Sequence, residues 1–253
     1  MRKSGVQGFG WSRVDRSPRV NGVSALGLAL AFAALAPASP ACAQQSGRWV
    51  LSGGLAISVP QSEFADFVDD GFGIGTQLLY RADPAGVLSL RLDAAIVTYG
   101  RERLEAPLSR TVSRINVDVV TRNNILLAGL GPQLTLPAGR FRPYVNGAIG
   151  LGYFFTESEV KGTGNFLSDG FARTTNFDDV SFSYGGGGGL ELGLHGGPHP
   201  LLLNMDFQYR NHGKTRFLRK GSIQEDGTGR VSFAPLEAEA DLLLIRVGLS
   251  FGL

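Results

Sequence analysis

The chain of 253 residues carries a single cysteine, Cys42, and three histidines, His195, His199 and His212. One cysteine excludes an intrachain disulfide and a cysteine-rich metal site. Beyond residue 44 there is no uninterrupted apolar run of the roughly 20 residues that a membrane-crossing helix requires. Neither charge dominates, with 24 Lys+Arg against 22 Asp+Glu, and the small basic excess is concentrated in Arg2, Lys3, Arg13, Arg16 and Arg19. Without those five and Asp15, 19 basic and 21 acidic residues remain, a net charge of −2. The electrostatic footprint of a nucleic-acid partner is then missing.

The order of features at the N-terminus is a basic segment, the uncharged run Val23 to Pro37, and Ala41-Cys42-Ala43. A basic n-region, a short apolar h-region and a small-x-small site make a secretion signal, with cleavage expected after Ala43. The expected division is therefore a signal peptide over 1–43 and one exported domain over 44–253. Cys42 falls in the signal, and the preceding Ser39-Pro40-Ala41 lacks the branched apolar residue usual before a lipidated cysteine.

What the exported part has in quantity is alternation. Apolar residues recur at every second position in Trp49 to Val59, Phe72 to Tyr80, Leu88 to Thr98, Phe141 to Phe155, Phe182 to Leu194, Leu201 to Tyr209 and Leu243 to Phe251. A noisier segment from Val119 to Leu136 keeps the pattern at Leu126, Leu130, Leu134 and Leu136. Period-2 alternation marks strands with one apolar face. About eight strands are expected, the smallest even number used by bacterial outer-membrane barrels.

The connections alternate as well. Turn-rich links at 82–86, 137–140 and 196–200 follow the even strands; long polar links, about 60–71, 101–117, 156–179 and 211–240, follow the odd ones. Short periplasmic turns and long outer loops are the asymmetry of an inserted barrel. On this threading Trp49, Tyr80 and Phe251 lie near the periplasmic rim, and Tyr153, Phe155, Phe182, Tyr184, Phe207 and Tyr209 near the outer one. Aromatic rings at both rims match the interfacial girdles of such barrels. The fold class expected is an all-β, antiparallel, up-and-down transmembrane barrel rather than a soluble sandwich.

The run Arg142-Pro143-Tyr144-Val145-Asn146-Gly147-Ala148-Ile149-Gly150-Leu151-Gly152-Tyr153 resembles the fifth strand of the OmpA-like and OmpX-like small outer-membrane barrels. Gly185 to Leu192 and Leu244 to Phe251 are similar to the sixth and eighth strands of that family. The resemblance extends over nearly all of the exported part and is carried by glycine, aromatic and alternation patterns. It implies an outer-membrane location in a Gram-negative cell, with outer-membrane lipid and the barrel assembly machinery as partners. Members commonly end on an aromatic residue, whereas this chain ends Phe251-Gly252-Leu253.

The inward face carries the charges. Gln77, Arg91, Asp93, Asn146, Glu191, Asp206 and Arg246 fall at similar depth, with Arg210 higher. Buried charges persist when paired and hydrogen-bonded, and an eight-stranded interior is just wide enough for side chains to fill. A compensated polar cluster that blocks most of the lumen is expected; a narrow path for ions or small solutes lined by the same charges is the alternative. Gly185 to Gly189 lacks the Lys-Ser/Thr of a phosphate loop and lies within an alternating strand, so inward glycines are expected to make room for longer side chains.

A third reading is an enzyme acting on lipid A. His195 and His199 thread to the periplasmic side, leaving His212, with Ser222 in the same loop. Catalysis needs a base oriented by a third group, which the sequence does not supply, so a solvated loop histidine is expected. No cofactor or metal is expected.

The second long link holds Arg101, Arg103, Arg110 and Arg114, and the fourth holds Lys214, Arg216, Arg219 and Lys220. Outer-leaflet lipopolysaccharide is anionic, so these are candidate contacts. Phe64 and Phe67 stand beside the acids of the first loop, where rim packing and partner contact are both open. The overall expectation is a non-enzymatic, monomeric outer-membrane barrel with a structural or surface-interaction role.

Overall fold

The computed structural model describes residues 47–107, 116–136, 139–162, 172–197, 199–219, 222–225 and 231–253. The expected signal over 1–43, with Cys42, lies outside the described residues, as do Arg110, Arg114 and Lys220.

Eight strands close into an antiparallel barrel. They are β1 (Trp49–Pro60), β2 (Gly71–Arg81), β3 (Leu88–Pro107), β4 (Asn116–Thr135), β5 (Phe141–Gly162), β6 (Ala172–His195), β7 (Leu201–His212) and, after four short strands, β12 (Leu242–Gly252). Neighbours around the barrel run β1-β12-β7-β6-β5-β4-β3-β2, so β3 and β7 face each other across the lumen. Each hydrogen-bonds to both neighbours, which leaves no open edge within the barrel. Among the described residues no helix is long and apolar enough to cross a membrane.

Alternation has fixed which side is which. Leu51, Leu55, Ile57, Ile74, Leu90, Leu92, Ile149, Leu151, Val247 and Leu249 are exposed, whereas Arg91, Asp206 and Arg246 are buried. A soluble fold would have the reverse; an exterior of this kind is a lipid-facing one. Trp49 and Phe251 at one rim and Phe182, Tyr184, Phe207 and Tyr209 toward the other all lie on that exposed face. Gly86, Gly139 and Gly197 take positive φ in the short turns, a conformation in which a side chain would be strained.

In two of the long outer links the described residues are largely strand. β3 and β4 stay paired up to Pro107 and Asn116, and β4, β5 and β6 remain joined above Asn123. A four-stranded wall thus rises on one side of the mouth. Register shifts at Thr98/Gly100 and at Thr156/Glu157 fall at the level of Asn123, which pairs with both Gly100 and Thr156. Bulges increase local twist and bend, and here they mark where the wall leaves the barrel.

The other two links fold inward. Loop 1 contains a 3-10 turn over Ser62–Asp66, and loop 4 contains β8 (Lys214–Phe217), β9 (Ile223–Glu225), β10 (Val231–Phe233) and β11 (Leu236–Glu239). β8 pairs with β11, and β9 with β10. Phe64 and Phe217 from these loops are fully buried against Tyr99, Ile125 and Phe154 on the barrel wall. The charged network therefore occupies mid-depth, and the outer end of the lumen is filled by a mainly apolar plug. The ring of Phe64 sits edge-on to Phe217 at 4.8 Å, to Tyr99 at 5.7 Å and to Phe154 at 6.1 Å. Ala56, Ala95, Ala238 and Ala240 line the same core, and such small side chains leave space for the rings.

Candidate functional site

The mid-lumen network is built by two opposed strands. β3 contributes Arg91 and Asp93, two residues apart and therefore on one face, and β7 contributes Asp206 and Arg210, four apart on one face. Arg91 forks onto Asp206 with bonds of 2.9 and 3.1 Å, and Arg210 reaches back to Asp93 at 2.6 Å. Arg246 of β12 bridges both acids, donating to Asp206 from Nε at 3.0 Å and to Asp93 from Nη1 at 3.2 Å. Three guanidinium groups and two carboxylates, each less than 5% exposed, are thus joined across the barrel.

Amides and hydroxyls take up most of the remaining bonds, while Arg91 Nε and Asp93 Oδ2 face each other at 4.0 Å without a hydrogen bond. Gln133 accepts from Arg91 at 3.1 Å and Gln208 from Arg210 at 3.2 and 3.3 Å. Gln208 donates to Asn146 at 2.8 Å. With its carboxamide oxygen turned to the guanidinium groups, Gln77 accepts from Arg246 and Arg91 at 3.3 Å each. The Tyr144 hydroxyl, with one hydrogen to donate, lies 2.9 Å from Asp206 Oδ1 and 2.8 Å from Asn204 Oδ1, and its ring lies 5.9 Å beneath Arg91. Ser52 and Ser250 close the network below at 2.6 Å. Unpaired buried charges are costly, and this density of partners allows the ions to persist.

Of the eight residues expected in the lumen cluster, seven are in mutual contact. Arg210 is higher in the ladder but reaches down into the network. Glu191 stands apart: it is buried, yet no hydrogen bond among the described residues ties it to the other acids and bases. It pairs in the ladder with Arg142, and Arg142, Arg81 and Arg91 are the cations nearest to it in electrostatic terms. Tyr144, Gln133, Asn204 and Gln208 were not singled out as members. Each lies on the inward phase of its strand, two residues from a cluster member in every case except Gln133, so the same counting reaches three of them.

The glycines serve two purposes. A Cβ on Gly129 would lie within 2.4–2.9 Å of the Arg210 guanidinium, and one on Gly189 would meet both the Tyr144 ring at 2.4 Å and the Met205 carbonyl of β7 at 2.3 Å. These two do make room for longer side chains. At Gly185 and Gly187, however, a Cβ would strike β7 carbonyl oxygens at 1.9–2.0 Å, so there the absent side chain permits close approach of backbone. The expectation of lumen space is corrected at those two positions.

Between network and plug lies His212. It is 1% exposed and packs edge-on to Phe154 at 5.8 Å, which overturns the solvated-loop reading. Its ring nitrogens have no hydrogen-bond partner among the described residues, and Ser222 Oγ instead accepts from the backbone of Arg219 at 3.2 Å. No oriented His–Ser pair forms. Among the described residues there is also no cluster suited to a metal ion.

A second polar centre ties the plug to the barrel. Buried Asp241 accepts from Ser62 at 3.0 Å, Tyr209 at 2.9 Å, Asn211 at 3.2 Å and the His212 backbone at 3.1 Å. Its own carbonyl accepts from the Gln61 backbone at 2.8 Å. Loop 1 is therefore fastened to the base of loop 4. Sequence spacing offered no signal for this residue, since its partners come from the end of β7, 29–32 positions back, and from Ser62 of loop 1, 179 positions away.

Of the cationic residues set aside as lipopolysaccharide contacts, Arg101 and Arg103 are exposed on the β3 part of the wall, and Lys214, Arg216 and Arg219 are exposed on or after β8. Arg216 pairs with Asp179 at 3.8 Å.

A closed eight-stranded antiparallel barrel, apolar outside and charged within, defines an integral outer-membrane protein. The chain belongs to the outer membrane protein beta-barrel domain family, whose model matches residues 26–232. Similar solved structures include the outer membrane protein OprG from Pseudomonas aeruginosa, 16% identical, covering 83% of this chain and 97% of that one with a TM-score of 0.47. Neisserial surface protein A is 12% identical, covering 81% and 96%, with a TM-score of 0.42. The attachment invasion locus protein Ail of Yersinia pestis is 14% identical, covering 81% and 98%, also at 0.42. Comparison with curated proteins finds no match.

Proposed function

We propose that this protein is a non-enzymatic, monomeric barrel that presents a surface-interaction platform and does not pass solutes. The observation that carries this is the double seal: a charged network spans the lumen at mid-depth, and an apolar plug of Phe64, Phe154 and Phe217 fills the outer end. One cavity against the network, lined by Ser52, Gln77, Asn204 and Arg246, measures about 10 Å³, the scale of a single water. The closed ladder leaves no barrel edge to pair with a second copy, which supports a monomer.

The platform consists of the wall and the folded loops. Arg101, Arg103, Lys214, Arg216 and Arg219 give it a cationic rim suited to anionic outer-leaflet lipopolysaccharide, with each charge worth about 1 kcal/mol near such a surface. Arg110, Arg114 and Lys220 of the same sequence segments would add to it. Export proceeds with removal of 1–43 by cleavage after Ala43.

Swelling of liposomes containing the folded protein tests the seal: rates for small sugars and amino acids should equal those of protein-free liposomes, and faster swelling refutes it. For the rim, neutralising Arg101, Lys214 and Arg216 should weaken lipopolysaccharide binding several-fold; unchanged binding refutes that part.

A further inference from the structure

His212 joins the two seals. It ends β7, three residues beyond Tyr209 of the outer girdle, and so stands above the lipid-facing band. Its ring crosses β6 toward β5, where a Cβ on Gly152 would meet Cδ2 and Nε2 at 2.8 Å. Only glycine there admits the imidazole. The ring packs edge-on to Phe154 at 5.8 Å, and Phe154 packs edge-on to Phe64 at 6.1 Å, so His212 supports the plug from below.

The surroundings suit an uncharged ring. Ser183 stands opposite His212 in the β6–β7 ladder and Ser181 opposite Gly152 in the β5–β6 ladder. Both serines are buried, and neither Oγ nor either ring nitrogen has a hydrogen-bond partner among the described residues. On its own strand the nearest ion is the Arg210 cation, already paired with Asp93 at 2.6 Å. On β6 the next inward ionisable group is Asp179, which accepts from the Arg216 backbone at 2.8 Å. Gly152 and Phe154 of β5 and Ile125 of β4 bring no charge, and Lys214 and Arg216 of β8 are exposed. From the base of loop 4 comes Asp241, whose carboxylate is occupied by Ser62, Tyr209, Asn211 and the His212 backbone. A proton on the ring would place a second buried cation beside Arg210. Burial, and then the Arg210 charge, hold the imidazole below its ordinary 6.5; Asp241 and the Ala240 and Arg210 carbonyls oppose this more weakly.

We propose that His212 is a pH-sensitive pin for the plug: neutral, it keeps loops 1 and 4 seated in the mouth; protonated from solvent, it releases them while the mid-depth network stays closed. The imidazolium gains an acceptor only by drawing Asp241 away from Ser62, which unfastens loop 1, or by admitting water beneath Phe64. Either movement unseats the apolar contacts above it. The seated form binds fewer protons than the released one, so its stability is complete above the released ring's value near 6.5 and is lost as pH falls toward the seated value of about 4. In the upper part of that window ordinary carboxylates keep their charge, which makes the histidine the group that titrates. The device adds a regulated state to the loops and leaves the sealed lumen unchanged.

The test is amide exchange of the folded, isotope-labelled protein in lipid bicelles at pH 7.5 and 5.0, expressed as protection factors so that the intrinsic pH dependence of exchange is removed. In the parent, protection over 61–68 and 214–219 should fall about tenfold or more at pH 5.0, the effect of at least one pH unit of linked protonation. Protection at 91–93 and 204–208, the level of the network, should hold. His212→Leu fills the same apolar position without titrating, and His212→Gln is a second non-titrating form; in either, protection should be the same at both pH values. Direct titration of the His212 ring by NMR needs no variant and should give a midpoint below 6.5. Equal loop protection at the two pH values in the parent, the same fall in His212→Leu or His212→Gln, or a ring that titrates at 6.5 with the loops still protected overturns the proposal. Loss of protection in the network together with the loops overturns it as well, since the barrel and not the plug would then be responding to acid.

Discussion

Arg91 and Asp206 meet across the width of the barrel, from strands four places apart in the ring, through a two-pronged bridge of 2.9 and 3.1 Å. Asp206 also takes Arg246, so two guanidinium groups depend on one carboxylate. Asp206→Asn should cost about 3–5 kcal/mol, the usual result of leaving buried charge uncompensated. Replacing both members, Arg91→Met with Asp206→Leu, should cost less than Asp206→Asn alone if Arg246 is then held by Asp93. Urea unfolding in lipid vesicles measures both; a loss under about 1 kcal/mol in Asp206→Asn contradicts the interlocked network.

Gly129→Ala places a methyl within 2.4–2.9 Å of the Arg210 guanidinium, and Arg210 has Asp93 as its ion-pair partner. Overpacking of this kind should destabilise by about 1–3 kcal/mol. Gly53→Ala, where nothing lies within 4 Å, is the matched control and should unfold like the parent.

Asp241→Ala removes the acceptor shared by Ser62, Tyr209, Asn211 and the His212 backbone. The barrel should persist while loops 1 and 4 loosen, with amide exchange rising in 61–68 and 214–219 and staying slow in β3 and β7. Equal exchange in both variants would show that the apolar contacts of Phe64 suffice.

Asp83 occupies the short β2–β3 turn, where the Leu88 backbone N–H, at 2.6 Å, and then those of Val87 and Ala85 hold its carboxyl below the ordinary 3.8. A lowered folded value means that the turn gains stability above the unfolded pKa and loses it as pH falls through the folded one. NMR titration of the Asp83 carboxyl should give a midpoint under 3.8; a midpoint at or above it contradicts these bonds.

The lipid-facing side of most strands was legible because an apolar face toward lipid and a polar face toward the lumen produce a period of 2. The network was legible for the same reason: charges at Arg91, Asp93, Asp206 and Arg246 stand out against apolar neighbours. Where the alternation faded, as in Ile125-Leu126-Leu127 and Ala94-Ala95-Ile96-Val97, both faces are apolar, one toward lipid and one toward the plug. That noise was the trace of the plug, but it names no partner, and Phe64 arrives from a loop. The wall was read as loop because Thr156-Glu157-Ser158-Glu159 is polar at every position and has no hydrophobic period. His212 and Asp241 owe their burial to the folding of loop 4 over the mouth, which no local pattern encodes.

The double seal is tested most directly by single-channel recording of the folded protein in a planar bilayer. A sealed lumen predicts silence at moderate voltage, in the parent and equally in Asp241→Ala, whose mid-depth network is intact. Steady, reproducible conductance steps in the parent would contradict the account.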